Sequence, residues 1–228
     1  SAISGNTATG GLSRGGGVYA IGVSEALYST IAGNTADEGA GWFCEGGWIG
    51  VGICEIVDST VSGNTARNDG GGWLTADNNL YVVNSTIAFN AALSGVVGGL
   101  LVRGDFYGIN AQSSIFAMNS ANGSELSADF DVDAPYLPIT TGSNNLLGDI
   151  GRLQPGHITG DPLLAPLAPN GGSTLTHALL PGSPAIDAGN NVSELDTDQR
   201  GAPRIAGAAA DIGAYEVQPE AIFANGFD

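Results

Sequence analysis

An octapeptide that returns at near-constant spacing constrains this chain more than any other feature. It is clearest at Ser29-Thr30-Ile31-Ala32-Gly33-Asn34-Thr35-Ala36 and at Ser59-Thr60-Val61-Ser62-Gly63-Asn64-Thr65-Ala66. Worn copies stand at Ser1 to Ala8, at Ser85 to Ala92, and at Ser113-Ser114-Ile115-Phe116-Ala117, where Asn119 comes one position late. The apolar marks Ile3, Ile31, Val61, Ile87 and Ile115 are 28, 30, 26 and 28 residues apart. A glycine-led second element follows the first four copies: Gly16-Gly17-Val18, Gly39-Ala40-Gly41-Trp42, Gly71-Gly72-Trp73 and Gly98-Gly99-Leu100. A period of this size signals a chain of stacked units, none of which can bury its apolar side chains alone.

Each period contains two or three short β-branched or aromatic runs separated by Gly, Asn and Asp, and no sustained helical period. The expected fold is therefore all-β, a single-stranded parallel β-helix (β-solenoid), with regular coils over 1–122. In-register stacking would place Ile3, Ile31, Val61, Ile87 and Ile115 in one inner column. Asn6, Asn34, Asn64 and Asn90 would form a second column, each amide donating to one neighbour and accepting from the other. Thr30, Thr60 and Thr86 would point outward.

The pattern resembles the right-handed parallel β-helix repeat proteins, and within them the repeats of bacterial polymorphic outer-membrane proteins. Gly16-Gly17-Val18 and Gly71-Gly72-Trp73 match that family's Gly-Gly-apolar motif. Ile31-Ala32-Gly33-Asn34 matches its Phe-x-x-Asn motif with Ile for Phe. The resemblance covers 1–122 and implies architecture rather than an activity.

From about Gly123 the repeat lapses, and residues 123–228 carry 14 acids against 3 Arg. Six motifs follow in order: Ser143-Asn144-Asn145-Leu146-Leu147; Asp161-Pro162-Leu163; Pro169-Asn170-Gly171-Gly172 running to His177-Ala178-Leu179; Gly182-Ser183-Pro184-Ala185-Ile186-Asp187; Asp198-Gln199-Arg200-Gly201; and Asp211-Ile212-Gly213-Ala214-Tyr215-Glu216. This set is similar to the choice-of-anchor Q domain of bacterial surface β-helix proteins, which implies a secreted or cell-surface location in a Gram-negative envelope. Residues 123–228 are expected to form irregular closing coils continuous with the solenoid, with Arg200 and Arg204 pairing to Asp198, Asp211 or Glu216. The tail Ile222 to Asp228 reads either as a sorting tail or as a last strand turned at Asn225-Gly226. A first residue inside a repeat, with Met118 the one methionine, suggests a piece processed from a longer precursor.

Twenty-three acids against 6 Arg and no Lys leave a net charge of −17, which excludes nucleic acid as a partner because phosphate binding needs cations. No run is long and apolar enough for a transmembrane segment. Cys44 and Cys54 flank a Gly-rich stretch and suggest a local disulfide in a secreted protein, with two reduced buried thiols as the alternative. Asp129, Asp131 and Asp133 alternate as Ca2+ ligands would, or as the outward face of a strand whose Phe130 and Val132 point inward. His177 with Ser173, Ser183 and Asp187 invites a catalytic triad, but no nucleophile elbow surrounds either serine, so no catalytic residue is assigned.

Trp42, Trp48, Trp73, Tyr19 and Tyr81 are the candidates for stacking on a polysaccharide or a host or cell-surface glycan. Trp42 and Trp73, at equivalent repeat positions, are equally readable as core. The function expected is adhesion, carbohydrate binding or surface scaffolding without catalysis. The rival is a polysaccharide lyase or glycoside hydrolase of the pectin-lyase-like type, which would need carboxylates converging beside exposed aromatics.

Overall fold

The computed structural model describes residues 1–46, 52–104, 108–122, 128–133, 142–148, 156–191 and 194–219. Its strands stack in parallel as a β-solenoid of about four turns. The three coils from Thr30 to Gln112 each have four extended runs rather than two or three, because one run is only two residues long and leaves no periodicity to read. The first sheet stacks Ala2–Ser4, Thr30–Ala32, Thr60–Ser62, Thr86–Ala88, Ile115–Ala117, Leu146–Leu147 and Ile158–Thr159. The second stacks Thr35–Ala36, Thr65–Ala66, Ala91–Ala92 and Ser120–Ala121. The third runs through Val18–Ile21, Trp42–Glu45, Trp73–Ala76, Leu100–Arg103 and Phe130–Asp133. The fourth runs through Val23–Leu27, Gly52–Val57, Asn78–Val83 and Ile109–Gln112.

Between the first and second sheets the chain turns through the left-handed region at Gly5, Gly33, Gly63, Phe89 and Met118. Directly after that turn stands the asparagine column. The backbone N–H and the Nδ2 of Asn34 both donate to Asn64 Oδ1 at 2.9 Å. Asn64 repeats the pattern onto Asn90, and Asn90 onto Asn119. Asn119 ends it on Asp129 Oδ1, also at 2.9 Å. A carboxylate suits that last place, because it accepts two N–H groups and has nothing further to donate.

The ladder explains the glycine before each inward tryptophan. A Cβ on Gly41 would lie 2.9 Å from Asn64 Nδ2 and 2.3 Å from the Gly72 carbonyl oxygen. Only glycine lets the third sheet pass this close to the amides. The residue that follows then points inward. Trp42 and Trp73 join Ile31, Ile56, Val61, Leu80, Ile87 and Phe116 in the main core, where the two indoles stack 5.2 Å apart.

The fifth repeat copy is shifted by one residue from the expected alignment. Ile87 pairs with Phe116 and Thr86 with Ile115, so Phe116 continues the inner column and Ile115 faces outward. The ladder dictates this register, because Asn119 follows Phe116 by the same interval at which Asn90 follows Ile87. Ile115 packs instead against Leu146, Leu179 and Ile212.

The C-terminal residues supply that outer cluster by running back along the outside of the first sheet. The Thr column does point outward, but this flanking segment covers it. Thr30 Oγ1 donates to the Leu175 carbonyl at 2.6 Å, and Thr60 Oγ1 donates to Gln199 Oε1 at 2.6 Å. The Ala214 N–H donates to Thr86 Oγ1 at 3.1 Å. Within the segment, antiparallel bridges join Leu164 to Leu179, Ala168 to Thr176 and Thr197 to Pro203.

Asn64→Ala leaves the amides of Asn34 and the carbonyl of Ile31 without their partner, and should cost about 2–3 kcal/mol of unfolding free energy. Asn6→Ala, at the exposed end of the ladder, should cost about 1 kcal/mol or less. Urea denaturation of both variants measures the difference.

Candidate functional site

The aromatic candidates separate on burial. Trp42 and Trp73 are 2% and 0% exposed, which corrects their reading as sugar-stacking residues: strand alternation after the glycine turns both into the core. Trp48 lies outside the described residues. Tyr19 is 48% exposed and Tyr81 is half-buried.

Tyr19 belongs to a dense polar patch on the outer face of the third sheet. Its ring stacks on Phe43 with centroids 5.6 Å apart, and its hydroxyl donates to Glu45 Oε1 at 2.5 Å. Donation to that carboxylate, with burial and its charge, raises the Tyr19 pKa. Arg14 lies 4.8 Å over the Phe43 ring and reaches Glu38 at 3.2 Å and Glu45 at 3.4 Å. Arg103 binds Glu38 at 3.4 Å and Asp69 at 2.5 Å, and approaches Asp133 at 3.9 Å. Two arginines thus hold a row of carboxylates in place beside a large aromatic face, that of Tyr19, open to solvent.

The fourth sheet carries a different pair. Glu25 and Glu55 are register partners on adjacent strands, with Tyr81 next in the same column. Neighbouring rungs lie roughly 4.8 Å apart. Burial and the charge of Glu25 raise the Glu55 pKa.

The three aspartates expected as Ca2+ ligands have separate surroundings. Asp129 ends the asparagine ladder, Asp131 pairs in register with Leu101 and is buried, and Asp133 faces Arg103. Phe130 and Val132 point inward. Among the described residues no three His, Cys, Asp or Glu side chains group to hold a metal ion. Cys44 and Cys54 are joined as a disulfide inside the core. Nine residues separate the two cysteines in sequence, whereas in the neighbouring coils the third and fourth sheets are joined by the single residues Gly22 and Asp77. Replacing both cysteines by Ala should lower stability by about 2–3 kcal/mol in thermal or urea unfolding.

His177 does not meet Ser173, Ser183 or Asp187 in a triad. Its Nε2 lies 2.8 Å from Ser62 Oγ and its Nδ1 lies 2.7 Å from the Ala165 carbonyl oxygen. Ser183 Oγ donates to the Pro162 carbonyl, and Asp187 Oδ1 accepts the N–H groups of Ala208 and Ala209. Ser62, inside a repeat, is the residue that sequence reasoning missed.

Buried charges anchor the flanking segment at a corner of the coils. Arg204, 1% exposed, reaches Asp58 Oδ1 at 3.4 Å and donates to the Asp211 carbonyl oxygen. Arg200 donates to Asp198 Oδ2 at 2.6 Å, with its guanidinium 3.6 Å over the Tyr215 ring. Glu216 accepts the N–H groups of Ala206 and Asp211. The expected arginine–carboxylate pairing is present at Arg200, whereas Arg204 crosses to the solenoid. Burial pushes the Asp58 carboxyl up to about 7, and the Glu216 carboxyl also up to about 7. Both groups hold a proton more tightly in the folded chain than in the unfolded one. Their contribution to stability is complete below their ordinary values of 3.8 and 4.5 and is lost as pH rises toward 7. Half-buried His157 and buried His177, whose pKa values are lowered by desolvation, act in the opposite sense below 6.5. Asp58→Asn removes one of the carboxyl contributions. Its stability relative to the unaltered protein should therefore rise between pH 5 and pH 7.5, as denaturation at the two values would measure.

No family model matches the chain, and no curated protein and no solved structure is significantly similar to it.

Proposed function

We propose that this protein is a non-catalytic β-solenoid, secreted or displayed on a Gram-negative cell surface, that binds carbohydrate through the outer face of its third sheet. The observation that carries this reading is the Tyr19 patch. A solvent-exposed phenol ring sits on a rigid strand, is backed by Phe43, and is rimmed by Arg14 and Glu45. An aromatic face supplies the apolar contact that a sugar ring needs, and fixed charged groups at its edge supply hydrogen bonds to hydroxyls. The carboxylates of this face are engaged by Arg14 and Arg103, which favours recognition over acid–base work. A neutral polysaccharide or surface glycan suits a chain of net charge −17 better than a polyanion does. The polymorphic outer-membrane-protein and choice-of-anchor Q likenesses support the location.

A second reading rests on Glu25 and Glu55. Stacked carboxylates at one rung's spacing, one with a raised pKa, approach the arrangement of a retaining glycosidase. Tyr81 beside them would be the stacking residue.

A glycan array paired with reducing-end and 235 nm assays, with and without Ca2+, separates the two readings. Binding without cleavage is expected, with Tyr19→Ala weakening affinity about tenfold and Tyr81→Ala leaving it nearly unchanged. Release of reducing ends that disappears in Glu55→Gln would replace the binding reading with the hydrolytic one.

A further inference from the structure

The contact between His177 and Ser62 has the polarity of an activated nucleophile. A carbonyl oxygen only accepts, so the bond to Ala165 places the imidazole proton on Nδ1. Nε2 then offers its lone pair, and the Ser62 hydroxyl donates to it at 2.8 Å. Nucleophile, base and a third group that orients the base are all in place. Burial lowers the His177 pKa, which keeps the imidazole in its basic form near neutral pH.

Both side chains line a groove of about 780 Å³ between the first sheet and the flanking segment. Phe89, Leu164, Pro166 and Leu167 give it apolar walls, and Phe89 lies 4.9 Å from the imidazole ring. Gly33 and Gly63 leave the floor beside Ser62 low. Ser62 and His177 each keep only 3% of their surface exposed, so a reacting group must be small.

We propose that Ser62 is an acyl-accepting serine that, with His177 as its base, takes a short acyl group from an activated ester or thioester in this groove. Ser62 Oγ bonds to the acyl carbon as its proton passes to His177 Nε2. The bond from that carbon to the leaving oxygen or sulfur breaks, and the leaving group departs with the proton from Nε2. The neighbouring N–H groups are already engaged in coil stacking, Gly33 to the Ser62 carbonyl at 3.1 Å and Gly63 to the Ala88 carbonyl at 3.4 Å. They do not serve as an oxyanion hole, so transfer is slow and the acyl-serine persists as a single modification rather than turning over. The proposal is independent of carbohydrate binding.

The test is intact-mass and peptide mapping after incubation with p-nitrophenyl acetate and, separately, with a fluorophosphonate. One adduct on Ser62 is expected, absent in Ser62→Ala and formed about 100-fold more slowly in His177→Gln. Ser173→Ala and Ser183→Ala should label like the unaltered protein. If His177→Gln does not fold, as circular dichroism would show, the pH profile of the unaltered protein decides. A labelling rate that rises to a plateau with a midpoint below 6.5 supports His177 as the base. A rate that climbs with hydroxide and never levels contradicts it. No adduct on Ser62, or an adduct formed at an unchanged rate in folded His177→Gln, would overturn the proposal and leave the contact as a hydrogen bond that only docks the segment.

Discussion

The asparagine ladder is the interaction on which the rest of the structure depends. Each Oδ1 takes two N–H groups from the coil before it, and each Nδ2 also reaches a backbone carbonyl there. Buried amides left unpaired would cost more than any one apolar contact returns, so the ladder tolerates a single register. That register fixes the glycine approach of the third sheet, the inward indoles, and the outward threonine and serine positions. A parallel serine row reinforces it, with the N–H of Ser29 donating to Ser59 Oγ, of Ser59 to Ser85, and of Ser85 to Ser114.

Register in turn decides which faces are available for function. The first sheet presents Thr30, Thr60 and Thr86 at one level and Ser62 at another, and both become contacts for the flanking segment. This leaves the third and fourth sheets to meet solvent with Tyr19 and with Glu25, Glu55 and Tyr81. Buried charge also concentrates where the flanking segment meets the coils: Asp58 of the solenoid and Asp198, Asp211 and Glu216 of the segment surround Arg200 and Arg204. Such clusters add little net stability, since each ion gives up its hydration.

Much of the architecture was legible in the chain because the repeat is written in residue types with fixed structural uses. Asn at the turn, Gly before the inward aromatic, and β-branched residues in the strands each have one physical explanation. The fifth copy misled because Ile115 and Phe116 are both apolar, and only the position of Asn119 separates them. The aromatic candidates were ambiguous for a similar reason: Trp42 and Tyr19 are both good β residues, and strand parity alone sends one inward and the other out. The flanking segment left no periodic trace. Several of its contacts join residues more than a hundred positions apart, such as Ser62 and His177, separated by 115 residues, and local pattern carries no information about these. Sequence alone therefore pairs His177 with the serines near it along the chain rather than with Ser62, which it meets in space.

The most direct test of this picture is hydrogen exchange of the asparagine side-chain amides, followed by NMR on the folded protein. Asn34, Asn64 and Asn90 should exchange far more slowly than the exposed Asn122, with Asn6 at the ladder's end intermediate. Rapid exchange of all five would mean that the amides do not bridge the coils and that another interaction sets the register.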